Sequence, residues 1–170
     1  MAVSPIAEFY ALRAPDYRGR WLKDMWAWDL DTLEDRHDYI QVMFPNAQPS
    51  GVNPHAPLLD RATIDAFLAD EALRANLARS HDLMLRFYGL EYDPAANEVR
   101  RRPDFAERAA NWLTPHNHNY LRITRILTCL RDLGLRDRVA AMLRALEAIH
   151  AEFPKATGST SIKFWRSAAS

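Results

Sequence analysis

Two sets of polar residues in this 170-residue chain have the types and spacing from which a site can be built. The first is His116, Asn117, His118 and Asn119, set directly before the apolar run YLRITRIL. A helix start needs one capping side chain, so four polar residues there exceed the structural requirement. At about 100° per residue, Asn119 shares a side with Ile123, Ile126 and Leu130, Arg122 flanks that stripe, and Arg125 lies further toward solvent. Asn117 or Asn119 then covers orphan amides as the cap. The remaining amides, the positive helix end and the Arg122 guanidinium together suit a carboxylate or a phosphate. His116 and His118 add hydrogen bonds or, when protonated, charge. For a peptide, the group held would be its C-terminal carboxylate. The competing structural reading pairs Arg122 with an internal acid such as Glu34 or Asp38. The His and Asn residues then tie down the turn at Pro115.

The second set is His37, Tyr39 and Gln41, followed by Val52, Asn53 and His55 in the loop PNAQPSGVNPHAPL. On a helix His37 and Gln41 are i, i+4 neighbours, and the loop is long enough for Asn53 and His55 to fold back over them. If the turn at 116–119 packs there too, the two sets form one pocket rimmed by amides and imidazoles, with Trp26, Trp28 or Trp112 as walls. Such a pocket suits a small anionic or peptidic ligand. The plainer alternative has Asn53 and His55 satisfying loop backbone, and Tyr39 and the tryptophans filling the core. The candidate ligand-binding residues are therefore His37, Tyr39, Gln41, Asn53, His55, His116, Asn117, Asn119, Arg122 and Arg125. No residue is assigned to catalysis or to a metal.

An enzymatic alternative rests on the histidines. His37, His55, His116 and His118 have the chemistry for a metal site or a general base. The His-Asp dipeptides at 37–38 and 81–82 resemble those of all-α metal phosphohydrolases, but with 6 histidines among 14 aspartates such pairs arise readily by chance. No Gly-rich phosphate loop, H-E-x-x-H or Ser-centred nucleophile turn is present. The sequence leaves an enzyme open while favouring a non-catalytic domain without a cofactor over a metal-dependent hydrolase. A third reading, a protein-interaction scaffold, rests on apolar residues near the end such as Phe164 and Trp165.

The elements that must position these residues read as helical nearly throughout. A short first helix ends at Pro15, and two short helices are expected in 21–44 with a break near Asp29 to Asp31. Asp60 caps a helix through Phe67. Asp70 caps another carrying Leu73, Leu77, Ser80, Met84 and Phe87 at helical spacing, with Gly89 past its end. YDPAANEVRRRPD (92–104) reads as a polar connection, and a short helix leads to Trp112. Helices from 119 and 136 are joined tightly at Gly134, which predicts an antiparallel pair. After Pro154, KATGSTS reads as a tether. The expected fold is all-α: an irregular bundle of six to eight helices, several short, with a C-terminal antiparallel helical hairpin. One domain over 1–155 and a flexible tail over 156–170 are expected.

Composition narrows the setting. Formal charge is +0, so no global field draws the chain to nucleic acid, and none is expected as a partner. The lone Cys129 rules out an internal disulfide. No run approaches the roughly 18 apolar residues of a membrane span, and the first residues lack a secretory pattern. A soluble, cytoplasmic protein is expected. With 19 Arg to 3 Lys, the coding bias reads as that of a GC-rich, bacterial genome.

Three blocks carry a resemblance. LEDRHDYIQVMFPNAQPSGVNPHAPL (33–58), SHDLMLRFYGLEYD (80–93) and NWLTPHNHNYLRITRILTCLRDLGL (111–135) closely resemble the conserved region of the opioid growth factor receptor family, in that family's order. The combination LE-x-x-H-x-YIQ, GVN-x-HA, ML-x-FYG and HN…LRITRIL is specific. The resemblance implies a peptide-receptor domain, because animal members are described as receptors for met-enkephalin, acting at the nuclear periphery to restrain proliferation. Those members carry long extensions with repeats and nuclear-targeting signals. A compact version is expected to take an unrelated or broader ligand.

Overall fold

The computed structural model describes residues 4–170 and groups the chain into two compact units. The first holds the chain up to Ser80 together with Asp132–Gly134; the second holds His81–Arg131 and Leu135–Ser170. The fold is mostly helical, as expected, but the described residues form ten helices, more than the six to eight foreseen, and one small sheet.

In the first unit, Ser4 and Asp60 start two helices whose caps are joined. Ser4 Oγ accepts from Ala7 N at 3.3 Å to open α1 (Pro5–Tyr10), which places a proline at its first position. Asp60 opens α5 (Arg61–Ala69) by accepting from Thr63 N at 2.7 Å, and Thr63 Oγ1 meets Ser4 Oγ at 2.7 Å. Tyr10 is fully buried between them: its ring meets Phe67 edge-on at 5.3 Å, and its hydroxyl donates to Met43 O. Residues 21–44 form three short helices where two were expected: α2 (Leu22–Met25), α3 (Leu30–Asp35) and α4 (Ile40–Met43). Asp29 opens α3 by accepting from Thr32 N at 2.7 Å, and an extended Arg36 closes it.

α6 (Glu71–Phe87) contributes its last turns to the second unit and stops at Gly89, where φ is +76°. Carbonyls left over at its end are met by α7 (Phe105–Trp112). Arg108 Nε donates to Phe87 O and Trp112 Nε1 to Tyr88 O, each at 3.1 Å. The rings of Phe87, Tyr88, Trp112, Tyr120 and Trp165 follow one another edge-on, with centroids 5.1 to 6.5 Å apart, and form the aromatic spine of this unit.

Two segments depart from the sequence reading. Residues in the expected polar connection pair instead as an antiparallel hairpin, β1 (Leu90–Asp93) with β2 (Glu98–Arg101), in the register Leu90 to Arg101. Asn97 adopts φ +50° at its turn, and α9 (Arg136–Glu152) steadies it, Arg144 donating to Asn97 O at 2.6 Å. The presumed tether belongs to α10 (Pro154–Ala169), kinked at Gly158. Burial explains it: Ile162, Trp165 and Ala168 lie on one helical stripe and are enclosed, Trp165 Nε1 donating to Tyr120 O at 3.2 Å. Phe164 stays exposed, which separates the two residues the scaffold reading had joined.

Gly89 marks the tightest of these contacts, since an added Cβ would lie 2.8 Å from the Phe105 backbone. Together with the left-handed φ, this predicts that Gly89→Ala lowers stability by about 2 kcal/mol or more, readable as a reduced midpoint in urea unfolding. An unchanged midpoint would contradict the close approach of α6 and α7.

Candidate functional site

The loop set lies in the first unit. His37, Asn53 and His55 are brought together there around a hollow of about 230 Å³, whose wall also includes Tyr17, Arg18, Asp38, Val52 and Pro54. Asn53 is the buried keystone. Its Nδ2 donates to Tyr17 Oη at 3.0 Å and to Asp38 O at 3.4 Å, and its Oδ1 accepts from His55 N at 3.2 Å. Ser50 Oγ accepts from Asn53 N at 3.1 Å, so the long loop is tied back at both of that residue's ends. His37 and His55 are exposed at the rim, and the His55 ring lies 6.1 Å from that of Tyr17.

Tyr39 and Gln41 do not join them. Tyr39 is fully buried, donating to Leu33 O at 3.0 Å and meeting Trp28 edge-on at 5.5 Å. Gln41, also buried, brings the end of its amide to 3.1 and 3.2 Å from the carbonyl oxygens of His37 and Asp38, contacts that are satisfied when the amide is oriented with its nitrogen donating to both. The reason is local: α4 begins only at Ile40, so His37 precedes it and the helical i, i+4 relation does not hold.

Tyr17 and Arg18 escaped the sequence reading. They sit at the tip of a turn built by Asp16, whose Oδ1 accepts from Arg18 N at 2.9 Å and Arg20 N at 2.8 Å, with Gly19 at φ +77°. The signal was present in PDYRG, a turn sequence that displays an aromatic and a cation. Arg18 Nε pairs with Asp38 at 2.9 Å, its guanidinium lies 6.0 Å from the Tyr17 ring centroid, and its two terminal nitrogens make no hydrogen bond among the described residues. Asp38 also receives Arg20 at 3.1 Å, while Arg20 pairs with Asp16 at 2.7 Å. Burial acts against the Arg20 charge, but these hydrogen bonds outweigh it and hold its pKa above the ordinary value. Two cations and two carboxylates balance, so a donor on Arg18 faces the hollow without a surplus of negative charge.

The turn set lies in the second unit, at the start of α8 (Asn119–Asp132). Asn117 is its organiser. Its Nδ2 donates to Asn111 O and Thr114 Oγ1, and its Oδ1 accepts from both nitrogens of Asn119 at 3.0 Å. Asn119 is fully buried, and Arg122, also buried, donates to its Oδ1 at 3.4 Å. Arg125 is partly buried rather than turned to solvent, and desolvation lowers its pKa against the opposing pull of Cys129. His116 and His118 are exposed, with His116 in a left-handed conformation at φ +59°.

No group of three or more His, Cys, Asp or Glu residues among those described has the geometry of a metal site. His81, from the second His-Asp pair, is wholly buried: Nε2 lies 3.3 Å from Met142 Sδ, and Nδ1 lies 3.3 Å from an Arg138 nitrogen. Arg138 is itself held by Asp82 at 2.6 Å. No described helix is long and apolar enough to cross a membrane.

The elements thus define a mostly helical fold whose first unit holds a small recess rimmed by an arginine and two imidazoles. The chain belongs to the opioid growth factor receptor (OGFr) conserved-region family, whose model matches residues 16–164. It is 42% identical over 120 residues to the mouse opioid growth factor receptor, covering 70% of this chain and 19% of that protein. The human receptor is 40% identical over the same length, covering 70% and 17%. The opioid growth factor receptor-like protein 1 of Xenopus tropicalis is 37% identical over 112 residues, covering 66% and 22%. The chain therefore spans about a fifth of the length of these curated relatives. No solved structure matches.

Burial lowers the His81 pKa from 6.5 to about 3, with Arg138 acting in the same direction. Below 6.5 the unfolded chain binds a proton there that the folded one refuses. Stability from this residue is therefore complete above pH 6.5 and declines as pH falls toward 3. Urea unfolding across that window is expected to show a loss bounded by about 4–5 kcal/mol, largely absent in His81→Gln. The same slope in both proteins would contradict a buried neutral imidazole.

Proposed function

We infer that this chain is an OGFr-type, non-catalytic binding domain for a small anionic or peptidic ligand, seated in the hollow bounded by Tyr17, Arg18, His37, Asn53 and His55. The observation that carries the reading is the Arg18 guanidinium, whose terminal nitrogens make no hydrogen bond among the described residues, set in the wall of a hollow that His55 also lines. A guanidinium offers two parallel donors to a carboxylate, and such charge-assisted bonds are the strong ones. Asn53 holds the far wall in place, so little ordering is left for the ligand to bring about.

Relatives named as receptors support a ligand-binding role, and the loop His37, Asn53 and His55 lies within the family match. In this reading His116 and Arg125 form a second, lesser anion contact in the other unit, framed by Asn117, Asn119 and Arg122. Tyr39 and Gln41 act as supports of the 37–38 backbone. The cytoplasm is the setting we assign, in keeping with the single buried thiol.

Calorimetric titration tests this with met-enkephalin and with small carboxylates such as N-acetylglycine. Arg18→Gln, an exposed change expected to leave folding intact, should weaken binding about tenfold, and His116→Ala, in the other unit, should leave binding at this hollow unchanged. Binding untouched by Arg18→Gln, or no binding to any of these probes, would overturn the assignment.

A further inference from the structure

A second hollow, of about 100 Å³, shares Tyr17 and His55 with the first. Its character is different. Beyond the shared pair it is lined by Pro5, Ile6, Phe9, Pro15, Val42 and Pro57, with Asp16 the only charged residue in its wall. The Asp16 side chain is 1% exposed, and its carboxylate is held by Arg20 at 2.7 Å, so it presents no free charge to this space. Rigid prolines and a phenyl ring give an apolar wall that loses little entropy on contact. Polar recess and apolar chamber thus meet at one pair of rings, the phenol of Tyr17 and the imidazole of His55, whose centroids stand 6.1 Å apart.

Resting on the binding reading above, we propose that the two hollows act as one bipartite site for a carboxylate carried next to an aliphatic side chain. The carboxylate faces Arg18 and His55. The side chain passes Tyr17 into the chamber of Ile6, Phe9 and Val42. Lining sets the class: a chamber of about 100 Å³ walled by proline, isoleucine, phenylalanine and valine side chains suits an aliphatic side chain. Charge complementarity sets the other end, because the Arg18 guanidinium lies on the polar side. A peptide C-terminus and a free acyl amino acid both carry this chemistry. Pro5, Ile6, Phe9 and Pro15 precede residue 16, where the family match begins, so four of the six apolar lining residues lie outside that match. Tyr17 and His55 are then the specificity-determining pair.

The test titrates the full chain with N-acetylglycine, N-acetylleucine, N-acetylleucinamide and acetyl-Gly-Gly-Leu while methyl NMR follows Ile6 and Val42. N-acetylleucine should bind about tenfold or more tightly than N-acetylglycine, shifting the methyls of both residues, and the amide should bind weakly. Tighter binding of acetyl-Gly-Gly-Leu than of N-acetylleucine would support a peptide terminus as the source; equal binding would support the free acyl amino acid. If N-acetylglycine and N-acetylleucine bind alike through Arg18, or the methyls do not move, the chamber is no subsite and only the polar recess stands. If the amide binds as well as the acid, the carboxylate assignment falls and this proposal with it. If nothing binds, the recess reading fails as well.

Discussion

The Asp16 carboxylate is the constraint on which the recess depends. One oxygen accepts the backbone amides of Arg18 and Arg20, and the other accepts Arg20 Nε at 2.8 Å. Arg20 then reaches across to Asp38 at 3.1 Å. The turn that displays Tyr17 and Arg18 is thereby fixed against the segment that carries His37. Exposed ion pairs contribute little, but this carboxylate is almost wholly enclosed, and removing it would leave a buried guanidinium short of its partner.

Around that anchor the binding surface is assembled from parts with separate tasks. Asn53 fastens the loop to Tyr17 and to the 38 carbonyl, Gln41 holds the carbonyls of 37 and 38 from beneath, and Tyr39 bonds the end of α3. At the rim, Arg18 and His55 face solvent with donor chemistry to offer. The second unit shows the same economy at the start of α8. There Asn117 takes four hydrogen bonds beside His116, whose left-handed conformation a non-glycine residue seldom adopts.

Much of this was legible in the residues. Prolines and glycines punctuate the chain where the helices break, as at Gly89, Gly134 and Pro154, and apolar spacing marks α6, α8 and α9. The family resemblance, read from three blocks, agrees with the family match. The hairpin was not legible, because only Leu90 of its eight strand residues is buried, and α9 rather than local alternation holds it. α10 was hidden behind a glycine and a run of small hydroxyl residues, and forms because Trp165 has an aromatic spine to join. Within the recess, Asn53 and His55 could be read from one loop and His37 from the segment before α4. Tyr17 and Arg18 could not, since Tyr17 meets Asn53 across 36 residues of sequence and Arg18 joins the recess through Asp38, contacts that no local pattern marks.

Hydrogen exchange tests the anchor directly. In Asp16→Ala the amides of Arg18 and Arg20 should lose about tenfold or more of their protection, while those of α9 keep theirs. Unchanged protection at Arg18 and Arg20 would contradict the claim that this carboxylate positions the recess.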